Sequence, residues 1–141
     1  MQGDSEVVKL YENFGVNTHF IENGVKITKN SNVSINNLLK LDFIDCPDIA
    51  QTVAVTCAAL NLDAKFTGLK TLRIKETDRV LALQKELNKL GYNVSVKDND
   101  LYVNKYSVQH YEWENVSVKT YNDHRMAMAF SPLALLSPLT I

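Results

Sequence analysis

A chain of 141 residues with 45% apolar and 22% charged side chains is long enough to bury a core, and its length suits one domain. A net charge of −1 gives no basic footprint for nucleic acid or an acidic membrane surface, and no apolar run approaches bilayer length. The opening MQGDSE does not read as a secretory signal, so the cytoplasm is the expected compartment.

In chain order, Asp4 and Ser5 open a first helix whose Val7, Val8, Tyr11 and Phe14 form an apolar face expected to be buried, with Gly15 as its stop. Residues 16–22 read as a strand, Glu22, Asn23 and Gly24 as a tight hairpin turn, and residues 25–29 as the returning strand. Residues 29–37 are a polar loop and residues 39–44 a strand. Pro47 and Asp48 then start a strongly apolar helix that ends near Asn61. Residues 64–69 form a strand running into LRIKETDRVLALQKELNKLG, residues 72–91. That stretch reads as a strand end at Leu72 and Ile74, a charged cluster, and an amphipathic helix. Thr77 is the expected N-cap, Val80, Leu83, Leu87 and Leu90 follow at helical spacing, and Gly91 supplies the left-handed stop.

Beyond Gly91 come a strand at 92–97, a turn at 98–100, a strand at 101–104 and a polar loop at 105–115, in which Trp113 is expected to pack on the sheet. Residues 116–120 read as a strand. Asp123 starts a second apolar helix that Pro132 bends or ends early, and residues 139–141 begin another strand. The two halves align: Gly15 with Gly91, Gly24 with Asp100 and Asp48 with Asp123 lie at nearly one offset. An internal repeat follows, one helix–strand–turn–strand–loop–strand–helix–strand unit used about twice. The expected class is α+β, with the helices on one side of the sheet. Because the chain starts at a helix and stops just inside a strand, it reads as part of something longer.

Cys46 and Cys57 lie in apolar surroundings without a CxxC spacing and read as inert core thiols. His19, His110 and His124 are too scattered for a metal site. The five glycines stand singly, so no phosphate-cradling loop is present. The chemistry concentrates instead at three helix starts. The first carries Asp48; the second Lys75, Glu76 and Arg79; the third Asp123, His124 and Arg125. An aspartate at a helix start is ordinarily a cap, and Asp48, Asp78 and Asp123 all admit that reading. Arginine there opposes the helix dipole. Arg79 and Arg125 could therefore form a two-pronged clamp for an anion with forked acceptors, or could simply pair with Glu76 and Asp123.

LRIKETDR followed by a helix and LG, YNDHRMAMAF, CPDIAQTVAV and the early QGD together resemble the signature segments of the enolpyruvyl transferases of aromatic biosynthesis, the EPSP synthase (3-phosphoshikimate 1-carboxyvinyltransferase) family. The likeness covers nearly the whole chain. It implies a domain of repeated βαβαββ units, of which this chain would hold about two copies as a partial domain. The other domain and a short final stretch with a substrate-touching lysine would lie outside it. It implies transfer of the enolpyruvyl group of phosphoenolpyruvate to the 5-hydroxyl of shikimate 3-phosphate with release of phosphate, glyphosate as an inhibitor, and no metal or cofactor. Residue by residue, Asp48 would accept the proton of the attacking hydroxyl and Glu76 would transfer a proton at the enol carbon. Lys75 would contact the shikimate substrate, Arg79 and Arg125 would hold phosphoenolpyruvate, and His124 would stand beside them. Thr71 takes the place where some members carry a substrate-holding asparagine.

Physical chemistry is compatible with these roles. Addition to an enol ether needs a proton for the methylene and a base for the alcohol, and arginine matches carboxylate and phosphate bidentately. Two other readings are available. A UDP-N-acetylglucosamine enolpyruvyl transferase fragment would lack the KETDR and NDHRM pairing. An α+β binding module, for RNA, would need a basic face that a net charge of −1 does not provide. Three expectations about geometry follow: the three helix starts open on one surface, that surface is exposed, and this chain alone is inactive.

Overall fold

The computed structural model describes residues 3–30, 38–106, 113 and 116–141. The loops expected at 29–37 and 105–115 fall largely outside these residues, as do Gln2 of the QGD segment and His110. The chain divides into two compact units, residues 1–37 and 38–141.

In the first unit a 3-10 turn, Gly3–Glu6, leads into helix α1, Val7–Glu12. Strands β1, Val16–Ile21, and β2, Gly24–Lys29, form an antiparallel hairpin in which Ile21 pairs with Gly24 across a two-residue turn. The apolar face expected on the first helix is present but not buried. Val7 is exposed, while Val8, Tyr11 and Phe14 are half-buried, because two strands and one helix of six residues cannot enclose a side chain.

The second unit contains the core. Strand β3, Leu39–Asp42, is followed by a 3-10 turn, Pro47–Ile49, helix α2, Ala50–Ala59, and strand β4, Ala64–Thr67, which runs parallel to β3. Helix α3, Arg79–Lys89, precedes the hairpin of β5, Asn93–Lys97, and β6, Asp100–Asn104. Helix α4, His124–Phe130, gives way at Pro132 to a 3-10 turn, Ser131–Leu135, so the helix does end early. The sheet order is β3-β4-β6-β5, with β6 antiparallel to both neighbours. One face of the central strands, Ala64, Phe66, Leu101 and Val103, is buried. On the other face Lys65 lies 2.9 Å from Asp100 and over the Tyr102 ring, half-exposed. Helices thus cover one side only, as expected of this α+β unit. Among the described residues no helix is long and apolar enough to cross a membrane.

The repeat is visible as geometry. Each copy has a helix, a hairpin with a two-residue turn, and a parallel crossover around an apolar helix. In the second copy that crossover shrinks to a single parallel bridge between Ser117 and Thr140. The strand expected at 116–120 is accordingly reduced to that bridge, in which the Val118 amide donates to the Thr140 carbonyl at 2.9 Å. The Ser117 carbonyl and the Lys119 amide are taken up by Lys89 and Glu86 of α3.

Two local corrections shape the site. Leu72 and Ile74 do not end a strand: residues Lys70–Ile74 form a 3-10 turn with Leu72 in the core and Ile74 exposed. The cause is Gly68, whose φ of +74° turns the chain, and where a Cβ would come within 2.4 Å of the Ile44 nitrogen and 2.5 Å of Asp42 Oδ1. The N-cap of α3 is Asp78, whose Oδ1 accepts from the Val80 and Leu81 amides, so the helix starts one residue later than a Thr77 cap would place it. At the other end Gly91 closes the helix as expected, with φ +87° and the Tyr92 amide donating 3.0 Å to the Leu87 carbonyl. Trp113 is buried beside Tyr92 and donates to the Leu90 carbonyl, so it packs at the end of α3 where the hairpin begins.

Candidate active site

Three chain segments deliver charge to one place. The Pro47–Ile49 turn carries Asp48, the link into α3 carries Lys75 and Glu76, and α3 itself begins with Arg79. The start of α4 supplies Arg125, with Asp123 as its N-cap accepting from the Arg125 amide at 2.9 Å.

Arg79 is the hub. Its side chain is 2% exposed, and its guanidinium spreads over three carboxylates. Nε donates to Asp123 Oδ2 at 2.5 Å, and Nη2 reaches the other Asp123 oxygen at 3.3 Å. Nη1 donates to Asp48 Oδ1 at 2.8 Å and Nη2 to Glu76 Oε2 at 2.7 Å. A buried cation at a helix start is tolerable only with such partners. Burial alone would lower its pKa, but the Asp123 hydrogen bond, backed by Glu76 and Asp48, raises it overall. For Asp123, 1% exposed, burial works upward, while the Arg79 hydrogen bond and the Arg125 and Met126 amides hold it below the usual carboxylate range.

Asp48 is the second centre. Besides Arg79, it meets Arg125 Nη2 at 3.4 Å and Lys75 Nζ at 3.7 Å, and its carbonyl accepts from Arg125 Nη1 at 3.3 Å. These longer contacts belong to a partly open surface. The side chains of Asp48, Lys75 and Arg125 are about a third exposed, and that of Glu76 is 53% exposed.

The expectation of one shared surface therefore describes the structure well: Asp48, Lys75, Glu76, Arg79 and Arg125 stand together. It does not describe Arg79 as an open prong, because Arg79 lies beneath that surface. The pairing of Arg79 with Glu76 is observed, whereas the Arg125 side chain goes to Asp48 and meets Asp123 only through its backbone amide. Among the described residues His124, exposed on α4, takes no part in the network. Thr71 sits exposed in the Lys70–Ile74 turn. Asp78 is confined to capping and to a 3.1 Å bridge with Arg73.

Gln51 belongs to the same cluster, although its place in an apolar helix does not by itself mark it as a site residue. It is fully buried in α2 and, in the amide orientation that satisfies both its groups, donates to the Asp48 carbonyl at 3.1 Å and accepts from Arg79 Nε at 3.3 Å. A single amide between Ala50 and Val53 of an otherwise apolar helix was the available signal. Glu86, an acid on the buried stripe of α3, was another.

Three cations and three carboxylates are thus held within a few ångströms. The cations on the open side, Lys75 and Arg125, are held at the longer distances, and two of the carboxylates, Asp48 and Glu76, are partly exposed.

Comparison with known proteins agrees over the full length. The family model of EPSP synthase (3-phosphoshikimate 1-carboxyvinyltransferase) matches residues 1–141. A 3-phosphoshikimate 1-carboxyvinyltransferase of Bacteroides fragilis is 44% identical over 97% of this chain and 33% of its own length. Namesakes from Idiomarina loihiensis and Methanococcus maripaludis are 33% and 32% identical, with 30% of each covered. The chain thus spans about a third of the length of the curated relatives it matches.

Proposed function

Since the chain belongs to the EPSP synthase family, we propose that it forms one wall of an enolpyruvyl transferase site, acting on phosphoenolpyruvate and shikimate 3-phosphate. The observation that carries this reading is the convergence of Lys75, Arg79 and Arg125 on Asp48 beside Glu76. It is a cationic patch with two carboxylates at its edge, drawn from three separate segments.

Phosphoenolpyruvate carries a carboxylate and a phosphate, both suited to arginine. Arg125, loosely tied to Asp48, swings to one of them. The Nη edge of Arg79 accepts the other by exchanging Glu76, while buried Asp123 keeps the guanidinium fixed. A cation anchored in this way needs no reorganisation as charge develops. Glu76, displaced from Arg79, then stands beside the enol methylene for proton transfer. Asp48 takes the proton of the attacking hydroxyl, and Lys75 lies next to Asp48 where the shikimate phosphate enters. Addition places the alcohol oxygen on the phosphate-bearing carbon and a proton on the methylene; loss of that proton with phosphate restores the double bond. His124 borders the patch without a role in these steps. Glyphosate, with a carboxylate and a phosphonate, competes for the same cations.

Most of the parent protein lies in the remaining two thirds, to which we assign the opposing wall and most contacts with shikimate 3-phosphate. A cytoplasmic setting fits, since the two buried thiols, Cys46 and Cys57, form no disulfide with each other. In a phosphate-release assay with both substrates, the chain alone should be inactive. Fused in place of the matching third of the Bacteroides fragilis relative, it should restore phosphate release, and Asp48→Asn in the fusion should remove it. A fusion whose activity survives Asp48→Asn would reject the assignment.

A further inference from the structure

We infer that Glu86 is a positioning residue for this site, acting through the chain that leads into Asp123 and Arg125. It is fully buried on α3, two helical turns beyond Arg79 on the same side. Its Oε2 accepts from the Lys119 amide at 3.1 Å and its Oε1 from the Tyr121 hydroxyl at 2.7 Å. Lys89 pairs with Glu86 and donates to the Ser117 carbonyl at 2.6 Å. One face of α3 thus grips a single segment twice, at residues 117–121 through Glu86 and Lys89 and at Asp123 through Arg79. Where the first grip passes into the second, Tyr121 and Asn122 both have left-handed backbones, with φ of +58° and +56°. Two successive residues with side chains rarely hold that conformation unless the surroundings impose it. Released at Glu86, the turn is free to relax, and the Asp123 carboxylate that orients Arg79 and caps Arg125 moves with it.

The inference rests on reading Asp123 and Arg125 as parts of one site, but its test needs no substrate. In the labelled full chain, NMR follows the Arg79 Nε–H resonance and the amide exchange of Arg125, with amides of β3 and β4 as reference. Glu86→Gln and Tyr121→Phe should both shift the Arg79 Nε–H signal and speed Arg125 exchange by about tenfold, leaving β3 and β4 amides unchanged. Glu86→Gln, which keeps one acceptor oxygen, should disturb both readouts less than Glu86→Ala. Tyr121→Phe removes a single hydroxyl and decides the matter if the Glu86 variants do not fold. An unmoved Arg79 signal in folded variants, or core amides speeding up uniformly, would overturn the inference by reducing Glu86 to general support. Loss of phosphoenolpyruvate binding by the unaltered chain would instead count against the proposed function.

Discussion

Arg79 joins stability and the proposed function in one side chain, because two of the three carboxylates that neutralise it, Asp48 and Glu76, are the groups to which proton transfer is assigned. Its removal would leave Asp123 charged, 1% exposed and without its main partner. Breaking one partner of a buried ion pair typically costs about 3–5 kcal/mol, a large share of the roughly 5–15 kcal/mol that holds a domain together. Arg79→Gln should therefore lower the unfolding free energy measured in urea by that order. Arg79→Lys should fall well short of rescue, since an ammonium cannot reach three carboxylates along the planar fork. Arg125, about a third exposed and held at 3.3–3.4 Å, should tolerate Arg125→Ala within about 1 kcal/mol. The contrast between the two arginines, measured side by side, separates the organising cation from the one left available.

The start of α3 offers a similar contrast between adjacent residues. Asp78→Ala removes the acceptor for two helix amides and the partner of Arg73, and should cost about 1–2 kcal/mol. Thr77→Ala should stay within about 0.5 kcal/mol. Thr77 and Asp78 are both acceptable caps in the sequence, and choosing between them depends on where Arg73 lands, a tertiary fact. The long periodic elements were legible for the opposite reason: α2, α3 and the β5–β6 hairpin declare themselves through local spacing and turn residues. So were the helix starts that build the site, since cations against a helix dipole stand out in any sequence. What periodicity could not reveal was pairing at a distance. Residues 116–120 have strand-like composition, yet the Ser117 carbonyl and the Lys119 amide go to Lys89 and Glu86, and Arg79 turns inward to Asp123, 44 positions away.

Acid should undo the second unit through its buried carboxylates. Asp123 and Glu86 both sit below the usual range when folded; for Glu86 burial works upward, but Lys89, Tyr121 and the Lys119 amide outweigh it. The unfolded chain then binds more protons near and below pH 4, so the contribution is whole above that range and is lost as pH falls through the folded values. Urea midpoints should drop between about pH 5 and pH 3, and less steeply in Glu86→Gln. Tyr121 works at the other extreme: raised to about 12 by burial and Glu86, it adds stability that is whole below about pH 10 and is lost as pH rises from there through the folded value. At the scale of the whole molecule, the partly open patch at Asp48, Lys75 and Arg125, with Arg79 beneath it, is the surface proposed to receive phosphoenolpyruvate. An NMR titration of the chain with phosphoenolpyruvate reads this binding at each residue. Few exposed charge pairs, each contributing up to about 1 kcal/mol, give affinity of roughly millimolar order, weakened by salt. The predicted result is saturable shifts at the amides of residues 48, 75–79 and 123–126, abolished by Arg125→Ala. Absence of shifts at these residues, or shifts that persist unchanged in Arg125→Ala, would contradict it.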